Sequence, residues 1–199
     1  MTQELILAST STIRAQMLRA AGVMFDTLPA RIDEDMIKHS LISETASPRD
    51  IADKLAELKA QKVSNKHPEA MVIGSDQVLD FGGNLLSKPA APQEAIDQLA
   101  QLSGQSHKLH SAAVIFDRGR PVWRHIGTAT LTMHDLSTEF IVNYVDRNWT
   151  SIQHSVGGYK IEEEGVRLFS NLIGDHFTIQ GMPLLPVLSY LAQRGALAL

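Results

Sequence analysis

Two long β-rich runs, Ser106 to Phe116 and Val122 to Met133, are joined by the short polar stretch Asp117-Arg118-Gly119-Arg120-Pro121. Such a pair folds back on itself as an antiparallel hairpin. The first half of the chain is of another kind. Leu5 to Ala8 is a short apolar run ending in Ser9, and a helical stretch from about Ser11 to Ala21 stops at Gly22, a natural residue after a helix end. Met24 to Leu28 reads as a second strand and Arg31 to Asp35 as a charged loop. Pro48 to Ser64 carries Ile51, Ala52, Leu55, Ala56, Leu58 and Val63 at the spacing of an amphipathic helix. Ala70 to Gly74 reads as a buried strand that delivers Ser75 and Asp76 at its end. Val78 to Phe81 and Asn84 to Leu86 flank Gly82-Gly83 as a short hairpin, and Pro92 to Leu102 reads as a helix closed near Gly104. Beyond the long hairpin come a helix from Ser137 to about Arg147, a turn or short strand at Gly157 to Lys160, a strand at Phe177 to Gln180 and a closing helix at Pro183 to Ala192. Alternating α and β elements with one long hairpin predict a mixed-sheet α/β protein, not a plain doubly wound one.

Composition narrows the chemistry. The 199 residues include no cysteine, which excludes disulfides, thiolate zinc sites, cysteine nucleophiles and iron–sulfur clusters together, so a metal must sit on oxygen or imidazole. A net charge of −4 excludes nucleic-acid or membrane-surface binding by bulk positive charge, and the whole of that charge lies in the first hundred residues. The beginning, MTQELILAST, lacks a basic region and a long apolar core, which predicts a cytoplasmic protein. The uncharged stretch from Phe177 to Gln193 contains Pro183 and Pro186 and is wrong for a bilayer span.

Ser9 and Asp76 stand at the C-terminal edges of two predicted strands, the edge at which α/β proteins bind ligands. Ser9, Thr10, Ser11 and Thr12 place hydroxyls and free amides at a helix start with Arg14 one turn inside, equipment suited to phosphate; an ordinary N-cap with a surface arginine fits the same residues. At about 100° per residue, Lys59 falls between Leu55 and Val63 inside the apolar stripe of its helix. Either it snorkels, as Lys62 near the helix end can, or its ammonium points into a cleft holding an anion. Asp76, within Gly74-Ser75-Asp76-Gln77, suits a metal ligand or general base, or else a turn cap. One of Asp33, Glu34 and Asp35 paired with Asp76 would give a two-carboxylate site for a hard divalent cation. Lys88 lies in an extended Ser-Lys-Pro segment. His107 and His110, three apart on a predicted strand, face opposite ways, which argues against a zinc pair. Glu162 to Glu164 read by themselves as a solvated charge run.

Taken in order, Leu7-Ala8-Ser9-Thr10-Ser11 with Arg14, Asp33-Glu34, Leu55-Ala56 with Lys59-Ala60, Ile73-Gly74-Ser75-Asp76-Gln77, Ser87-Lys88-Pro89, Leu102-Ser103-Gly104 with His107, Tyr144-Val145, Gly157-Gly158-Tyr159-Lys160 and Gly181-Met182-Pro183-Leu184 resemble the Maf family of nucleoside triphosphate pyrophosphatases. The match covers nearly the whole chain. The resemblance implies a single domain over residues 1–199 with a cleft between two lobes, similar to the inosine triphosphate pyrophosphatase fold, and often a homodimer. It implies hydrolysis between the α and β phosphates of a nucleoside triphosphate, with a divalent metal cation, Mg²⁺ or Mn²⁺, on Glu34 and Asp76. Asp76 would be the general base or metal-linked acid, Glu34 its carboxylate partner, and Lys59 a catalytic residue that contacts phosphate or base. Ser9, Ser11, Arg14 and Lys88 would hold substrate, with Gln77 and Glu162 completing the binding set.

Two departures bear on substrate. The branch acting on dTTP and UTP carries a glutamine after Gly-x-Tyr-x-Ile, where this chain has Tyr159-Lys160-Ile161-Glu162, an arrangement closer to the branch that hydrolyses 7-methyl-GTP. A carboxylate accepts hydrogen bonds from the N1–H and amino group of guanine, which thymine does not offer in that pattern. Thr12 and Ile13 replace the frequent Pro-Arg or Pro-Trp before the arginine. A dTTP/UTP pyrophosphatase, a nucleotide-binding regulator of cell division without turnover and a phosphosugar-binding domain are the alternative readings.

Overall fold

The computed structural model describes residues 3–198 and contains one seven-stranded mixed sheet with helices on both faces. In chain order the strands are β1 (Leu5–Ala8), β2 (Asp26–Thr27), β3 (Met71–Phe81), β4 (Asn84–Leu86), β5 (Ser106–Asp117), β6 (Arg120–Met133) and β7 (Phe169–Ile173). The sheet order is β2-β1-β3-β5-β6-β7, with β4 added to the far end of β3. β1 pairs in parallel with β2 and β3, whereas β3–β5, β5–β6 and β6–β7 are antiparallel. The long hairpin turns through Arg118 and Gly119, both at positive φ, the geometry that matches strand twist.

Helices α1 (Thr12–Ala20), α2 (Glu34–Ser43), α3 (Pro48–Ser64), α4 (Pro92–Leu102), α5 (Thr138–Ile152), α6 (His176–Ile179) and α7 (Leu184–Gln193) complete the chain, with two short 3₁₀ turns at Val156–Gly158 and Glu164–Leu168. Strand alternation sorts the core. Ile6, Ala8, Val72, Val114 and Phe116 face α3, packing on Ile51, Leu55, Ala56, Ala60 and Val63. On the opposite face, Leu5, Leu7, Ile73 and Ile115 pack under α1 and α7. Farther along that face, Leu79, Leu109 and Leu131 pack under α4 and α5. A cleft of about 870 Å³ opens between these two halves. No described helix is long and apolar enough to cross a membrane.

Several expectations are corrected. Arg31–Asp35 is not simply a charged loop: Asp33 caps α2, its carboxylate accepting from the Met36 amide, and Glu34 and Asp35 form the first helical turn. β2 is two residues long, not five. Phe177–Gln180 is not a strand but the body of α6, whose cap Asp175 accepts from the Phe177 and Thr178 amides. The helix begun at Ser137 runs on to Ile152, and β7 was not anticipated. β3 does not stop at Gly74: it continues unbroken through Ser75, Asp76 and Gln77.

Candidate active site

The cleft floor is a notch in the sheet. On one side of β3, pairing with β1 ends at Gly74 and pairing with β4 begins at Leu79, so Ser75 to Val78 have no strand neighbour there. Asp76 is therefore mid-strand yet stands at the point where the adjacent strand ends. Its backbone is fixed from the other side by Ala112 of β5.

Helix α3 crosses close above this notch. A Cβ placed on Gly74 would lie 2.1 Å from the Ala56 carbonyl oxygen and 2.6 Å from the Ala60 nitrogen, so strand and helix meet with no side chain between them. That approach sets Lys59 over Asp76. The Lys59 Nζ donates to Asp76 Oδ1 at 2.5 Å and pairs with Glu34 Oε1 at 2.8 Å. Lys59 and Asp76 are 8% and 5% exposed, so the pair is nearly removed from water and its attraction is weakly screened. Desolvation pushes the Glu34 carboxyl upward, but Lys59, with Lys38 and Lys88 behind it, wins and holds it below the usual carboxylate range.

Arg14 donates from Nε to the Gly181 carbonyl at 2.8 Å and from Nη1 to the Ser75 carbonyl at 3.1 Å, leaving Nη2 without a described protein partner. It joins α1, β3 and the start of α7. Ser11 is the N-cap of α1, accepting from the Arg14 amide, and Ser9 Oγ accepts from the Ser11 amide. The capping and cleft-lining readings of these serines hold together, because both also line the cleft. Gln77 lines it as well, though its amide nitrogen is committed to Ser111 Oγ and to the Thr178 and Ile179 carbonyls. Lys88 lines the opposite lip, its ammonium held below the ordinary lysine range first by desolvation, then by the cations Arg14 and Lys59, with Glu34 opposing. Glu162 is exposed and lines the cleft, while Lys160 donates to Ser151 Oγ and pairs with Glu163. Ser9, Ser11, Arg14, Glu34, Lys59, Asp76, Gln77, Lys88 and Glu162 thus border one cavity, whereas His107, His110, Asp33 and Asp35 do not. Lys38, His154 and Gln180 also line it and are not signalled by the sequence, Lys38 because no periodicity marks α2 beyond Asp35.

Behind the wall, His107 and His110 do face opposite ways. His110 meets Thr128 and Asp80, whereas His107 Nε2 is 2.6 Å from the Tyr159 hydroxyl. His107 is buried, its Nδ1 has no partner, and desolvation lowers its pKa from 6.5 to about 4. Between those two values the unfolded chain binds a proton that the folded chain refuses, so stability falls as pH drops. The expected loss is about 3 kcal/mol across the window. Urea unfolding midpoints should show that slope in the wild type and lose it in His107→Gln above about pH 5, below which the lowered carboxyls such as Glu34 add a slope of the same sign.

Beyond geometry, the chain is matched over residues 4–194 by the family model described as "Maf-like protein". A protein of Ruegeria pomeroyi named nucleoside triphosphate pyrophosphatase is 59% identical over 99% of both chains, and one of Roseobacter denitrificans with the same name is 60% identical over 99% of both. A 7-methyl-GTP pyrophosphatase of Brucella abortus is 44% identical over 96% of both. A solved HAM1 protein from Coxiella burnetii gives a TM-score of 0.42 at 17% identity over 67% of this chain and 74% of its own, too distant a likeness to bear on the fold. With a family match spanning residues 4–194 and relatives at 59% and 60% identity over 99% of the chain, the chain belongs to the Maf family.

Proposed function

We propose that this chain hydrolyses the α–β phosphoanhydride of a nucleoside triphosphate, releasing a nucleoside monophosphate and pyrophosphate. The observation that carries the reading is the buried Lys59–Asp76 pair, joined by the half-buried Glu34, beside the N-terminus of α1. Asp76 is the general base that orients the attacking water, and Lys59 fixes its carboxylate against Glu34. Arg14 Nη2, the Ser9 and Ser11 region and Lys88 neutralise phosphate oxygens as charge shifts toward the leaving pyrophosphate. Names carried by relatives at 59% and 60% identity support the same activity.

The residues fit a divalent cation. Among the described residues no group of three or more His, Cys, Asp or Glu forms a closed metal cage. Glu34 Oε2 and Asp76 Oδ2, however, make no hydrogen bond within the described protein, and Mg²⁺ characteristically takes one or two carboxylates and completes its shell with water and substrate phosphates. Glu34 and Asp76 would hold it, and when bound it would polarise phosphate oxygens and lower the pKa of water.

For the base, we assign 7-methyl-GTP, supported by the exposed Glu162 carboxylate in the cleft and by the relative of that name. A panel of dTTP, UTP, CTP, GTP and 7-methyl-GTP, with Mg²⁺ or Mn²⁺ and pyrophosphate release as readout, tests both levels. The expected result is preference for 7-methyl-GTP, reduced about tenfold or more in Glu162→Gln, since one lost charged hydrogen bond costs about 1.5–3 kcal/mol. A pyrimidine preference would overturn the base assignment alone; nucleotide binding without turnover on any substrate would overturn the activity.

A further inference from the structure

Of the six Lys and Arg residues that line the cleft, Arg14, Lys59 and Lys160 are already committed within the protein, whereas the side chains of Arg31, Lys38 and Lys88 make no hydrogen bond or ion pair among the described residues. Lys59 holds two carboxylates, Lys160 holds Ser151 and Glu163, and Arg14 spends two of its nitrogens on carbonyls. Lys38 and Lys88 are the two cleft-lining lysines without a hydrogen bond or ion pair among the described residues. Lys38 lies four residues after Glu34 on α2, hence on the same helix face, and is half-buried. It also borders a small recess with Gln77, Leu86 and Ser87, which puts it beside the Ser87-Lys88 segment on the other lip.

Each of these two ammonium groups feels the charge of Glu34, which Lys59 already pairs, and keeps its donors free for an anion that enters between them. Helix α2 gives the cleft Glu34 and Lys38 while burying none of its own residues fully. We infer that Lys38 is a further substrate-binding residue which, with Lys88, forms a two-sided clamp on the polyphosphate. Assigning the clamped group to the leaving pyrophosphate rests on the activity proposed above; the clamp itself needs only a polyphosphate.

The test uses the full chain and calorimetric titration with inorganic pyrophosphate and, separately, with a nucleoside monophosphate. Lys38→Ala should weaken pyrophosphate binding about tenfold, the equivalent of about 1.4 kcal/mol, and leave monophosphate binding within about twofold. Lys38→Arg should restore most of the loss, and Lys66→Ala, an exposed lysine away from the cleft, should change nothing. In turnover, Lys38→Ala should raise KM about tenfold and change kcat less. Wild-type protein that ignores pyrophosphate, or Lys38→Ala that binds it as wild type does, overturns the clamp. Loss of monophosphate binding to the same extent overturns it too. If pyrophosphate binding falls in Lys38→Ala but the wild type releases pyrophosphate from no nucleotide, the clamp stands and the activity does not.

Discussion

Asp76→Asn is expected to reduce pyrophosphate release by roughly a thousandfold while leaving the protein folded and able to bind nucleotide, since loss of a general base costs about 10²–10⁴ in rate. The substitution keeps size and hydrogen-bonding shape but removes the charge that accepts a proton from water. Lys59 retains Glu34 at 2.8 Å, so its ammonium is not left buried and alone. The thermal midpoint should accordingly drop by only a few degrees. Asp76→Ala should be as inactive and less stable, because it also empties space in the notch. Rates with saturating Mg²⁺ and 7-methyl-GTP, followed by pyrophosphate release, decide the matter: Asp76→Asn within tenfold of wild type would remove the carboxylate from its assigned role.

The largest effect on stability is expected at Gly74. A Cβ there meets the Ala56 carbonyl oxygen at 2.1 Å, the Ala60 nitrogen at 2.6 Å and the Ala60 Cβ at 2.8 Å. Two of these are backbone atoms of α3, which cannot rotate aside as a side chain can, so helix and strand must part along their contact. Gly74→Ala should cost about 3 kcal/mol or more, at the upper end for overpacking. For a chain of this size that lowers the thermal midpoint by roughly 6–12 °C. Moving α3 outward also carries Lys59 away from Asp76, so activity should fall with stability. Gly22→Ala provides the contrast: nothing lies within 4 Å of its added Cβ, and only the positive φ of 74° opposes it. Its cost should be about 1 kcal/mol. Equal losses in the two variants by thermal melting would remove the close approach as the reason for glycine at position 74.

How legible these features are in the sequence depends on whether local and tertiary signals agree. α3 is readable to the residue because Ser47 caps it, Pro48 opens it and its apolar stripe is continuous. Lys59 stands out for the same reason, as a cation inside that stripe. α2 has no fully buried residue, so its periodicity is weak, and the cap Asp33 followed by Glu34 and Asp35 was the only local sign of it. With the helix went Lys38. The four apolar-rich residues at Phe177–Gln180 fit a strand as well as a single helical turn, and the Asp175 cap decides between them. β7 pairs with only the last residues of β6 and leaves most of its side chains exposed, so little alternation marks it. The unbroken passage of β3 beyond Gly74 depends on pairing with β5, a partner some thirty residues away in the chain.

That unbroken passage has a mechanical side. β3 and β5 run beneath both halves of the protein, bonded to each other from Met71–Asp117 to Asp80–Lys108. The halves therefore cannot swing apart about a loop, because separating them would shear ladder hydrogen bonds in the most buried part of the sheet. The floor of the cavity is thus cast in one piece: two shared strands, not a loop, join the halves beneath it.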